Sequence, residues 1–156
     1  MRVEIQQLPA GQLAGYRLEG PWEKTVPQGF SRLSEWVSRN PLKGEWLAVY
    51  YGDPQQIPAD RLVVDTGISV PSDFILPLDS EDVQLRPIPA ACYAVAQVQV
   101  SDGDFARPWR EFFDGWLPGS GYQRAEGPCF ERYLNDGSQT GVWDLLICVA
   151  VEKFQE

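Results

Sequence analysis

Two stretches of this 156-residue chain carry the same elements in the same order. In the first, AGYRLEG (residues 14–20) leads to a helical pattern, then EWLAVYYGDP (45–54), then RLVVDTGISV (61–70). In the second, ACYAVAQ (91–97) leads to a helical pattern, then PCFERYLNDG (128–137), then GVWDLLICVAV (141–151). The two helices share their apolar spacing. Val26, Phe30, Leu33 and Val37 fall at i, i+4, i+7 and i+11, and Phe105, Trp109, Phe112 and Trp116 do the same. A unit of this size, present twice, is longer than a solenoid repeat of about 20–50 residues. It predicts two facing half-domains with a cleft where they meet. Function is then sought where the copies differ.

Proline and glycine punctuate each copy. VEIQQLP and QLAGYRLEG alternate apolar and polar residues and read as one bent strand, interrupted by Pro9 and Gly11 and ended by Gly20-Pro21. A helix is expected to start between Trp22 and Pro27 and to stop at Asn40-Pro41. VQLRPIPA and CYAVAQVQV repeat the bent opening strand, and SDGD caps a second helix from about Phe105 to Leu117. The prediction is a single α+β domain over 1–156. Two strand–helix–strand–strand halves occupy 1–71 and 83–156, joined by a linker at 72–82, with mainly antiparallel strands.

Composition removes several function classes. The chain has no histidine, so the usual general base, metal ligand and Ser–His or Cys–His nucleophile pair are missing. Cys92, Cys129 and Cys148 stand in apolar strand contexts and make no zinc spacing, so they read as buried reduced thiols. Asp102 and Asp104, and the pair Glu81-Asp82, lack the spacing of a calcium loop. Neither metal nor cofactor is expected. No apolar run reaches the roughly 18–20 residues of a membrane helix, and no signal peptide is visible, so the expected location is the cytoplasm. The net charge of −9 is spread over both halves, with the larger share in the second. That field repels nucleic acid phosphates and favours basic protein surfaces or cationic ligands. Six Trp, six Tyr and seven Phe supply core, and also the material for an aromatic pocket.

The third elements of the two copies align as WLAVYYGD against CFERYLND. Tyr50 matches Tyr133 and Asp53 matches Asp136, but Ala48 meets Glu131. Strand alternation puts Cys129, Glu131 and Tyr133 on one face and Phe130 and Arg132 on the other. A carboxylate beside a thiol and a phenol loses hydration. Three roles stay open for it: a recognition point for a cationic ligand, a general acid or base, or a structural ion pair.

The segments GPWEKTVPQGF, LSEWV, EWLAVYYGDP, IPADRL with the following DT, YAVA, DFARPW, EFF, PCFERYLNDG and the final WD and VAV together resemble the DNA gyrase inhibitor family, SbmC or GyrI, over nearly the whole chain. The resemblance implies the duplicated fold already read from the repeat. It also implies the small-molecule-binding superfamily that supplies effector domains to bacterial transcription regulators, here in free-standing form. In that superfamily a glutamate of the second copy sits at the centre of a ligand cleft, and the matching position is Glu131. The resemblance adds Tyr133, Trp46 and Tyr50 from the equivalent strands as aromatic neighbours, with Trp109 and Phe113 of the second helix lining the cleft.

Three functions follow as expectations. The first is a non-enzymatic protein that binds DNA gyrase, modulates supercoiling and protects against gyrase poisons or DNA-damaging compounds. The second is a module that binds aromatic or cationic small molecules around Glu131, with Trp143 and the cleft tryptophans as fluorescent reporters. The third is a hydrolase of strained-ring electrophiles with Glu131 as acid/base helping to activate water and Tyr133 as an orienting donor. No second carboxylate is evident beside Glu131, which ranks that reading last.

Overall fold

The computed structural model describes residues 1–155. In chain order the elements are β1 (Val3–Leu8), β2 (Gly11–Glu19), α1 (Trp22–Arg39), β3 (Trp46–Tyr51), β4 (Val63–Ser69), β5 (Gln84–Ile88), β6 (Ala91–Val100), α2 (Ala106–Arg110), β7 (Tyr122–Tyr133) and β8 (Trp143–Lys153). The repeat is therefore real: β2-α1-β3-β4 is followed by β6-α2-β7-β8, an α+β fold whose strand pairs within each copy are antiparallel.

The opening strands depart from the expected layout. What the alternation joins into one bent strand is two strands in each copy, and the outer one belongs elsewhere. β1 pairs with β6, Val3 opposite Ala96 through Leu8 opposite Ala91, and β5 pairs with β2. The chain thus forms one unit from Met1–Pro9 with Ala90–Glu156 and another from Ala10–Pro89. The first has the strand order β1-β6-β8-β7 and the second β5-β2-β4-β3, the same order built from exchanged edge strands. The boundaries at 71 and 83 read from the sequence differ from this division for that reason. Pro9 and Pro89 sit at the crossovers, where a residue without an N–H interrupts a ladder at least cost.

The strand register also corrects the matching of the opening motifs. Ala48 and Tyr16 both face Thr66, while Glu131 and Ala96 both face Ile147. With Ala48 equivalent to Glu131, Tyr16 is equivalent to Ala96 and not to Tyr93. The offset is three residues, and an odd offset turns a side chain to the other face. Tyr16 lies in the cluster beneath α1 with Leu33, Trp36 and Ile68, whereas Tyr93 meets Phe130 at 5.2 Å.

Helix α1 begins at Trp22, so Pro27 falls on its exposed side in the second turn and not in the first. The buried stripe is Thr25, Gly29, Leu33 and Trp36. Gly29 is required there: a methyl at this position would overlap the Thr66 hydroxyl. The second helix covers the expected span but changes pitch, from α2 into a π-helical turn over Glu111–Trp116. Such turns are often found beside functional sites. Asp104 accepts from the Arg107 amide at 3.1 Å and caps the start, as the SDGD motif predicts. β7 starts six residues before the PCFERY motif, and its register shifts between Arg124 and Cys129 around Gly127 (φ 132°). This bulge re-aims the strand just ahead of Glu131. Among the described residues, no helix is long and apolar enough to cross a membrane.

Candidate functional site

Glu131 projects from β7 on the face that carries Cys129 and Tyr133, beneath the second helix. Cys129, Leu145, Ile147 and Val149 form the apolar floor with Phe112, and Trp109, Phe113, Tyr133 and Trp143 close around it. The carboxylate is 1% exposed. Trp109 Nε1 donates to Oε2 and the Tyr133 hydroxyl donates to Oε1, each at 2.9 Å. Both oxygens are therefore engaged by neutral donors fixed in the surrounding rings. Phe113 stacks on Trp109 at 6.2 Å, Trp143 meets Tyr133 edge-on at 5.8 Å, and the Arg124 guanidinium lies 5.7 Å from the Phe113 centroid.

The electrostatics follow from this burial. The Tyr133 phenol is pushed well above its usual range, first by loss of hydration, then by the Glu131 charge and the hydrogen bond to it. Burial also raises the Cys129 thiol, with Arg124 opposing. A buried thiol held in its neutral form is a poor nucleophile. The arrangement is a buried carboxylate held between an indole N–H and a phenol within an aromatic frame.

Of the residues picked from the sequence, the structure brings together Glu131, Tyr133, Trp109 and Phe113. Trp46 and Tyr50 belong to the other unit, where Trp46 lies 5.9 Å from Phe30 and Tyr50 lies 4.8 Å from Trp22. The alignment of helices matches Phe30 with Trp109. The copies therefore differ at two linked places: where the second gains a carboxylate at 131, it also gains an indole N–H at 109 to hold it.

A second buried acid was not picked from the sequence. Asp65 on β4, also 1% exposed, receives Arg17 Nε at 2.8 Å, Arg17 Nη2 at 2.9 Å and the Tyr51 hydroxyl at 2.8 Å. Asp65 opposes Val49, on the face of its sheet away from α1, whereas Glu131 lies beneath the helix of its own unit. Its signal was a lone aspartate in the apolar stretch LVVDTGISV, at the position where the second copy has Leu146. Burial, then the hydrogen bond and charge of Asp65, raise Tyr51 to about 12, with Arg17 opposing. A phenol whose pKa rises on folding contributes stability that is complete below the unfolded value of 10 and is lost as pH rises through 12. Thermal melting from about pH 9 to about pH 12.5 is expected to show this fall. Tyr51→Phe should make the fall shallower, and an unchanged profile would remove Tyr51 as its source.

Comparison with known proteins agrees with this architecture. The model of the GyrI-like small molecule binding domain matches residues 1–152. A DNA gyrase inhibitor of Erwinia billingiae is 51% identical over 153 residues, spanning 98% of this chain and 99% of that protein. A DNA gyrase inhibitor of Escherichia coli is 46% identical over 153 residues, spanning 97% and 98%. Among solved structures, the EcmrR C-terminal domain superposes with a TM-score of 0.72 at 14% identity, covering 98% of each chain. SAV2435 bound to tetraphenylphosphonium superposes with a TM-score of 0.67 at 13% identity, covering 97% of this chain and 94% of that one. At such identities the structural likeness speaks for the fold alone. The sequence matches run from end to end, and on them this chain belongs to the GyrI-like small molecule binding domain family.

Proposed function

We propose that this protein is a non-enzymatic inhibitor that binds DNA gyrase and restrains its supercoiling activity. The observation that carries the reading is the near full-length likeness to proteins named DNA gyrase inhibitor, at 44–51% identity. The charge of −9 supports it, since an acidic protein is drawn to the basic surface of an enzyme that holds DNA and is itself repelled by DNA. The sealed state of Glu131 supports the non-enzymatic part. Its oxygens are occupied by Trp109 and Tyr133, and the thiol on its face is held neutral.

The test is a supercoiling assay with purified gyrase and relaxed plasmid. Micromolar protein is expected to slow supercoiling, to bind gyrase directly, and to leave the mobility of naked DNA unchanged. Full supercoiling at tens of micromolar, or a shift of naked DNA, would overturn the reading.

A second reading is supported by the aromatic frame around Glu131: binding of a lipophilic cation, once the Trp109 and Tyr133 rings swing off the carboxylate, with Glu131 and Tyr133 as polar contacts and Trp109 and Phe113 as walls. Tetraphenylphosphonium, the cation bound to SAV2435 in its solved structure, is the natural probe.

A further inference from the structure

Segment 72–82, read as a plain linker, is a fixed strap. Phe74 and Leu76 pack into the core beneath α1. Trp36 Nε1 donates to the Ser80 hydroxyl at 2.9 Å, Arg39 and Asn40 reach Asp79 at 3.4 and 3.3 Å, and Arg32 reaches Asp82 at 3.2 Å. Turns closed from Phe74 N to the Pro71 carbonyl and from Val83 N to the Ser80 carbonyl hold its two ends.

Against this anchoring, two aliphatic side chains point outward. Ile75 is 85% exposed and Leu78 is 107% exposed. Alternation explains Ile75, since Phe74 and Leu76 take the inward positions. Alternation does not explain Leu78, held in water on a strap that is anchored through Phe74, Leu76, Asp79, Ser80 and Asp82. The eleven residues include Asp73, Asp79, Glu81 and Asp82 and no base, and since Asp79 and Asp82 are paired with Arg39 and Arg32, Asp73 and Glu81 carry the negative charge of the strap. The chemistry is two exposed aliphatics beside acids unpaired among the described residues, on a backbone anchored at both ends, so little backbone entropy is lost on docking. Its complement is an apolar recess with a basic rim, and an enzyme that grips DNA carries basic surface by necessity.

We propose that this strap is the gyrase contact, with Ile75 and Leu78 entering an apolar recess and Asp73 and Glu81 meeting its basic rim. The proposal rests on the gyrase reading above and adds the surface to it. Asp73 and Glu81, within a chain of net charge −9, disfavour nucleic acid at the patch, which selects the protein over its DNA.

Two full-length variants test it beside the unaltered protein: Ile75→Ser with Leu78→Ser, and Asp73→Lys with Glu81→Lys. Each is assayed for inhibition of purified gyrase, for direct binding, for melting temperature and for self-association by sedimentation. The replaced side chains are outside the core, so melting should hold. The serine pair is expected to raise the half-inhibiting concentration at least tenfold. The lysine pair should raise it at least threefold and flatten its salt dependence. If the unaltered protein inhibits and both variants inhibit equally well, the strap proposal fails while the gyrase reading stands. If the unaltered protein does not bind gyrase, both fail. If the serine pair instead abolishes a self-associated form and leaves inhibition intact, the patch serves a second copy of this chain and the proposal is overturned.

Discussion

Gly15→Ala is expected to lower the unfolding free energy by about 3 kcal/mol, the upper part of the range for overpacking, and the melting temperature by roughly 6–12 °C. The added methyl would overlap the Thr66 carbonyl oxygen and stand 2.5 Å from the Gly67 Cα. Both are backbone atoms of the neighbouring strand, so no rotamer change can make room. The backbone at Gly15 does not take the left-handed form, which makes the effect one of space alone. Gly103→Ala is the control. There φ is 76° and the methyl would meet nothing within 4 Å, so only a conformational cost of about 1 kcal/mol is expected. The register places Val95 and Cys148 of the second copy where the first has Gly15 and Gly67. Close approach of β2 and β4 is thus a property of one copy. Urea titrations of the two variants measure the difference, and equal costs would show that the strands separate freely.

Glu131→Leu is expected to be the most damaging change at the candidate site, at about 2 kcal/mol. It takes away the acceptor shared by the Trp109 N–H and the Tyr133 hydroxyl at once. Glu131→Gln should cost less than about 1 kcal/mol, because the amide oxygen can accept from Trp109 while its NH₂ donates to the Tyr133 oxygen. The pair separates organisation from charge. If the cationic-ligand reading holds, Glu131→Gln binds tetraphenylphosphonium about tenfold more weakly by tryptophan fluorescence, equivalent to about 1.4 kcal/mol, in a protein that is still well folded. Unchanged affinity would end the ionic part of that reading. A leucine variant as stable as the unaltered protein would show that the carboxylate does not organise the aromatic frame.

Much of this was readable from residue order. The repeat, both helices, and Glu131 as the odd residue of its strand all follow from periodicity and from laying one copy on the other. Alternation alone put Tyr133 on the Glu131 face. The partnership with Trp109 was visible in principle, because Phe30 and Trp109 align, but only once the strand mismatch was read together with the helix mismatch. The exchanged edge strands were not legible. VEIQQLP and QLAGYRLEG alternate in the same way whichever neighbour they pair with, so local pattern carries no information about partner. Asp65 went unpicked because its partners Arg17 and Tyr51 come from other strands, 48 and 14 residues away. Ile75 and Leu78 stood in a segment read as a linker, where composition does not say which of Phe74, Ile75, Leu76 and Leu78 face out.

The exchange of β1 has a consequence for synthesis. Its partner strand begins at Ala91, more than eighty residues downstream of Leu8. At about 5–20 residues per second on the ribosome, the first strand waits for several seconds with its edge unpaired. The unit that holds Glu131 can close only after the chain has run almost to its end, since β8 lies between β6 and β7 in that unit. The birth of that unit is therefore nearly all-or-none, whereas the unit from Ala10 to Pro89 is complete once Pro89 has emerged, and an N-terminal fusion that holds back the waiting β1 should burden folding more than an equal fusion at the far end.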